Sequence, residues 1–92
     1  MSSADPLLDR TRAIIERIAG PHRTPAQSGP DTPLADGFWL DSVELLEVVV
    51  ACETEFGIVF DEASDLEHGA LDTLGTLTDL VRSKRSAARQ EP

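Results

Sequence analysis

The chain has one cysteine, Cys52, so it cannot close a disulfide on itself and offers no thiolate cluster to a metal. No apolar run approaches the length needed to span a membrane. The first residues, Met1-Ser2-Ser3-Ala4-Asp5, lack the basic-then-apolar order of a secretion signal, and a cytoplasmic protein is expected. The most telling gap is in charge. Between Asp31 and Asp72 there is no lysine and no arginine, yet that stretch holds twelve acids: Asp31, Asp36, Asp41, Glu44, Glu47, Glu53, Glu55, Asp61, Glu62, Asp65, Glu67 and Asp72. All eight basic residues lie outside it: Arg10, Arg12, Arg17, Arg23, Arg82, Lys84, Arg85 and Arg89. A field of one sign over the middle of a small chain argues against nucleic acid or an anionic membrane as partner. It suits proteins with a basic docking patch, or it is the ordinary surface of a soluble acidic protein.

The parts of a catalytic site are also missing. The histidines are His22 and His68 alone, both expected at the surface, and there is no Gly-x-Ser-x-Gly elbow to carry a nucleophile. Asp61, Glu62, Asp65 and Glu67 do not follow the alternating ligand order of a calcium loop. No independent catalysis and no metal site are expected.

What remains is enough for one small all-α domain over residues 1–85, with a flexible tail at 86–92. A first helix is predicted over 6–19, capped by Asp5 with Pro6 at its first position. Leu7, Thr11, Ile14 and Ile18 share one face, and Gly20-Pro21 ends it. Residues 20–41 read as a long connection punctuated by proline and glycine, with Leu34 and Phe38 anchoring its second half and Gly37 supporting a turn. A second helix is predicted over 42–57, with Leu45, Val48, Val49, Cys52 and Phe56 as its core stripe and Gly57 as its stop. Cys52 on that stripe reads as a small buried hydrophobe. Ile58 and Phe60 anchor a further connection, a short helix is expected around 63–68, and a last helix over 73–84. Asp72 or Thr73 would cap that last helix, and Gly75 would weaken its first turn. The architecture is a bundle of three to four helices with a long first loop.

One stretch organises the chain: Gly37-Phe38-Trp39-Leu40-Asp41-Ser42-Val43-Glu44-Leu45-Leu46-Glu47. Asp41 is a good N-cap, Glu44 three residues on completes a capping-box pattern, and Leu40 with Leu45 can form a hydrophobic staple. These signals start a helix with Ser42 at its first position. There a hydroxyl stands near solvent beside free N–H groups and the positive end of the helix dipole, a place that favours a phosphate. The plain alternative is a serine that merely suits a helix start. The outer face of the same helix mixes acids with exposed aliphatics, Val43, Glu44, Leu46, Glu47, Val50 and Glu53, which is the make-up of a protein docking site. Cover of Leu46 or Val50 by the long loop is the structural alternative.

The segments Leu40-Asp41-Ser42-Val43-Glu44-Leu45-Leu46-Glu47 and Glu53-Thr54-Glu55-Phe56-Gly57-Ile58, with the run from Asp72-Thr73-Leu74 to Leu80-Val81, resemble the acyl carrier protein family. The resemblance spans about Asp31 to Val81. It implies a covalent 4′-phosphopantetheine on Ser42, attached from coenzyme A by a phosphopantetheinyl transferase, with Asp41 matching the family's acid before the serine. The arm would hold an acyl group as a thioester. Val43, Glu44, Leu46, Glu47, Val50 and Glu53 would face the transferase and the acyl-loading and acyl-processing enzymes, and the chain would act as a monomer. Trp39, where the family has glycine or a small polar residue, would lie beside the arm and contact it or a partner, or else pack the loop onto the bundle. That departure, and a longer stretch between Phe60 and Asp72, point to a discrete carrier in polyketide, hybrid-peptide or other specialised acyl biosynthesis. A peptidyl or aminoacyl carrier, or an acidic helical adaptor without an arm, are the alternatives.

Overall fold

The computed structural model describes residues 5–25, 27–65 and 69–90. Among these described residues five helices follow in order: α1 (Pro6–Ala19), α2 (Leu34–Gly37), α3 (Ser42–Phe56), α4 (Glu62–Asp65) and α5 (Leu74–Gln90). Among the described residues there is no strand, only an isolated antiparallel bridge between Pro33 and Thr73. The long helices start and stop where side chains satisfy their free backbone groups. Asp5 accepts from the Leu8 N–H at 3.2 Å to open α1, and Gly20, at φ 84°, closes it by donating to Glu16 O at 2.8 Å. Gly57 closes α3 in the left-handed region at φ 66°. Thr73 and Thr76 open α5 reciprocally, each hydroxyl accepting from the other's backbone N–H, at 3.1 and 3.0 Å.

α1 packs against both α3 and α5, and α3 touches α5 more briefly. The core they enclose draws Leu7, Ile14 and Ile15 from α1, Val48, Val49 and Cys52 from α3, and Leu74, Leu77 and Val81 from α5. Burial pushes the Cys52 thiol up to about 12, with Glu53 and Glu55 adding to the effect, so it stays protonated and inert. The loops contribute as much as a helix would. Leu34, Phe38 and Leu40 from the first connection and Ile58 and Phe60 from the second are all buried, while Val59 between the latter points out.

The first connection is held at its middle by the start of α5. Thr32 O accepts from the Leu74 N–H at 2.9 Å and Pro30 O from the Gly75 N–H at 2.8 Å, while the Leu34 N–H donates to Asp72 O at 3.0 Å. Two orphan donors of the α5 first turn are thus satisfied by loop carbonyls. Gly75, expected only to weaken the helix, has a positive role: a Cβ there would stand 2.8 Å from Pro30 O and 2.9 Å from Pro30 Cβ.

Some boundaries differ from the sequence-based ones. α2 forms inside what reads as loop, because Pro33 suits the position before a first turn and Leu34 has a core site to fill. The short helix occupies Glu62–Asp65; 66–68, including His68, lie outside the described residues, and His22 is exposed. α5 runs on past residue 84 to Gln90, so 86–90 are helix where a frayed tail is expected. Ala87, Ala88, Arg89 and Gln90 are all good helix formers, which accounts for the extension. Gly75→Ala should force the loop off α5 and cost about 1–3 kcal/mol, measured by urea denaturation; a variant as stable as the parent would show that this contact is not tight.

Candidate functional site

Ser42 is the first residue of α3 and is exposed. Its setting is the complete capping box the sequence implies. Asp41 Oδ1 accepts from the Glu44 N–H at 2.8 Å, and Glu44 Oε1 accepts from the Asp41 N–H at 3.2 Å. Leu40 is buried and Leu45 packs against the same core, as a staple requires. The Ser42 and Val43 N–H groups have no protein acceptor among the described residues. They are the donors that a phosphate on the Ser42 hydroxyl would meet, alongside the positive end of the α3 dipole. The site therefore fits a phosphodiester: the serine is exposed and backbone donors without a protein acceptor among the described residues stand beside it.

Arg23 belongs to the site and carries no local signal in the sequence. Its guanidinium uses all five donors. Nε donates to Ala19 O at 2.9 Å, one Nη to Trp39 O at 3.0 Å and Glu44 Oε1 at 2.7 Å, and the other to Ile18 O at 3.5 Å and to Glu44 Oε2. One half-buried side chain thus joins the end of α1, the backbone of residue 39 and the first turn of α3. The paired arginine and the Asp41 N–H hold the Glu44 carboxyl down at about 2, against an ordinary 4.5.

The expected outer face divides in two. Val43, Leu46 and Val50 are 65%, 56% and 59% exposed, so neither Leu46 nor Val50 is covered by the long loop. With Glu47 and Ala51 of α3 and Arg17 and Ile18 of α1, they line a shallow, mainly apolar groove of about 460 Å³. Glu44 and Glu53 are tied inward instead. Glu44 is held by Arg23, and Glu53 Oε2 accepts from the Phe60 N–H at 2.9 Å, fastening the second connection to α3. Among the described residues no group of three or more His, Cys, Asp or Glu could hold a metal ion.

Trp39 is the one non-glycine residue at positive φ, 58°, among the described residues, and it is 64% exposed. It does not pack the loop onto the bundle; Phe38 and Leu40 on either side do. Its backbone conformation costs an L-residue roughly 1–2 kcal/mol, and the hydrogen bond from Arg23 to its carbonyl helps to hold it.

Two measurements check this geometry. Trp39→Gly should unfold at a higher urea concentration than the parent, a gain of up to about 1 kcal/mol; a loss would mean the indole makes stabilising contacts. The second follows the Glu44 carboxyl. Its depressed value means the pair's stabilisation is complete above the ordinary 4.5 and drains away as pH falls toward about 2. Glu44→Gln keeps a capping side chain but not the ion pair. It should be less stable than the parent at neutral pH and converge on it at the acid end, in urea titrations across that range. Asp5 and Asp65 are also held low by backbone N–H groups and by Arg82 and Lys84, but both persist in the variant.

No protein-family model matches the chain, and no solved structure does. An acyl carrier protein of Thermotoga maritima is similar from end to end: 29% identical over 84 residues, covering 91% of this chain and 98% of that protein. An exposed serine after an aspartate at the head of a capped helix, in a small helical bundle with a long first connection, agrees with that similarity to an acyl carrier protein.

Proposed function

We propose that this chain is a carrier, not an enzyme, and that its working atom is the Ser42 hydroxyl oxygen. The observation that carries this reading is an exposed serine at the first position of a fully capped helix, beside two N–H groups with no protein acceptor among the described residues. In the modification, the Ser42 oxygen attacks the phosphorus of coenzyme A that bears pantetheine. A new P–O bond forms, the pyrophosphate P–O bond breaks, adenosine 3′,5′-bisphosphate leaves, and the serine proton passes to a base of the transferase. The attached 4′-phosphopantetheine supplies a thiol on a flexible tether, on which an acyl group rides as a thioester. The chain's own residues orient and present. Asp41 fixes the first turn, the Ser42 and Val43 N–H groups face the phosphodiester, and α3 offers its outer strip to partners.

That strip is Val43, Leu46, Glu47 and Val50, an apolar ridge with an acid along it and no basic residue of its own. It suits enzymes that present an apolar hollow rimmed by lysine or arginine. A tethered substrate gains through effective concentration at each such enzyme, without a catalytic group on the carrier. Trp39 in a place where glycine would relieve the backbone favours a discrete carrier in specialised acyl, polyketide or peptide-hybrid biosynthesis over a housekeeping one. The cytoplasm, where coenzyme A is available, is the compartment this reading requires.

Incubation with coenzyme A and a promiscuous phosphopantetheinyl transferase should add one arm by intact mass, and Ser42→Ala should take none. Addition to the alanine variant, or none to the parent, contradicts the reading. Glu47→Lys should raise the transferase KM severalfold at low salt, and less so as salt screens the surface. A KM indifferent to that reversal would remove Glu47 from the docking strip.

A further inference from the structure

We infer that Arg23 is a positioning residue for modification at Ser42, a latch that presets the serine before the transferase arrives. The inference rests on the carrier reading and adds to it a residue on a different segment of the chain.

The apolar anchors Leu34, Phe38 and Leu40 bring the connection to the core, but they leave its last turn incompletely fixed. Trp39 and Asp41 are exposed, unlike the buried anchors Phe38 and Leu40, and residue 39 sits in a backbone region that a tryptophan rarely adopts. What stops rotation there is polar. Arg23 grips the Trp39 carbonyl, and the same guanidinium takes both oxygens of Glu44, whose Oε1 in turn accepts from the Asp41 N–H. Residues 39, 41 and 44 are therefore held by one planar group, which is itself seated on the α1 carbonyls of Ile18 and Ala19. Ser42 lies inside this frame, and its oxygen is aimed by the backbone the frame defines.

A fork of five coplanar donors can do this. An ammonium, with three donors at a single point, cannot reach both Glu44 oxygens and the carbonyls at residues 19 and 39 together. Phosphoryl transfer needs attacking oxygen and phosphorus close to contact and aligned, and small misplacements are expensive in rate. A preset serine thus raises the rate of the bound complex more than its affinity, because the docking strip on α3 lies outside the latch.

The test uses the full chain with Arg23→Gln, Glu44→Gln and Arg23→Lys, and Arg82→Gln as a control that breaks the Arg82–Asp5 pair at the other end of α1. Transfer from coenzyme A is followed for kcat and KM separately, and amide hydrogen exchange is read at residues 39–45 and across α1, α3 and α5. Arg23→Gln is expected to lower kcat about ten- to a hundredfold, with KM within about twofold of the parent. Its amides at 41 and 44 should lose protection while those of α5 keep theirs. Glu44→Gln should share the kcat defect, Arg23→Lys should recover it only in part, and Arg82→Gln should show parental kcat and KM.

Parental kcat and unchanged protection in Arg23→Gln overturn the inference while leaving the carrier reading intact. Uniform loss of protection through all three long helices also overturns it, since Arg23 would then hold up the whole fold. A parent chain that takes no arm overturns the carrier reading, and this inference with it.

Discussion

Leu34, Phe38 and Leu40 are buried in a core that three helices enclose, and the place where Ser42 begins its helix follows from that burial. A connection this long loses considerable entropy on ordering. Each large apolar side chain it sets in the core returns about 1.5–3 kcal/mol, and the backbone adds hydrogen bonds to Asp72, Leu74 and Gly75 along the way. Without those anchors the connection would have no reason to leave the core beside α3, and the capping box would close on a serine with no fixed position.

Charge is arranged on top of this frame. The acids of the middle stretch are not one uniform surface. Glu44 and Glu53 fasten loops to α3, Asp65 pairs with Lys84 and Glu55 with Arg10. Glu47 stands on the outer strip with Val43, Leu46 and Val50, at the lip of the groove facing α1. With Glu44 and Glu53 used internally, the groove beside Ser42 is left lined by the acid Glu47 and by Arg17 of α1, around an apolar floor.

Local patterns were legible in the sequence, and long-range ones were not. The Asp41–Glu44 box, the α1 and α3 boundaries, the buried Cys52 and the anchors Leu34, Phe38, Ile58 and Phe60 all rest on spacings of a few residues, and the structure shows each of them. Arg23 could not be found that way: it sits in a loop 21 residues before Glu44, and nothing near it marks a partner. The inward turn of Glu53 depends on where Phe60 returns along α3, again a tertiary fact. Gly75 looked like a flaw because propensity knows nothing of Pro30 pressed against it. Trp39 stood out by sequence, but only the backbone angle shows that keeping a tryptophan there carries a conformational cost.

The fold therefore does one thing at this site. It holds an exposed serine at the tip of a capped helix, beside backbone N–H groups without a protein acceptor among the described residues and an exposed apolar strip on α3. The most direct test is the mass of the protein taken from its own cells, with the peptide containing Ser42 fragmented to release any arm. The account predicts phosphopantetheine on Ser42, some of it carrying an acyl group as a thioester. A population in which Ser42 is bare throughout, or in which the arm sits on another residue, would contradict it.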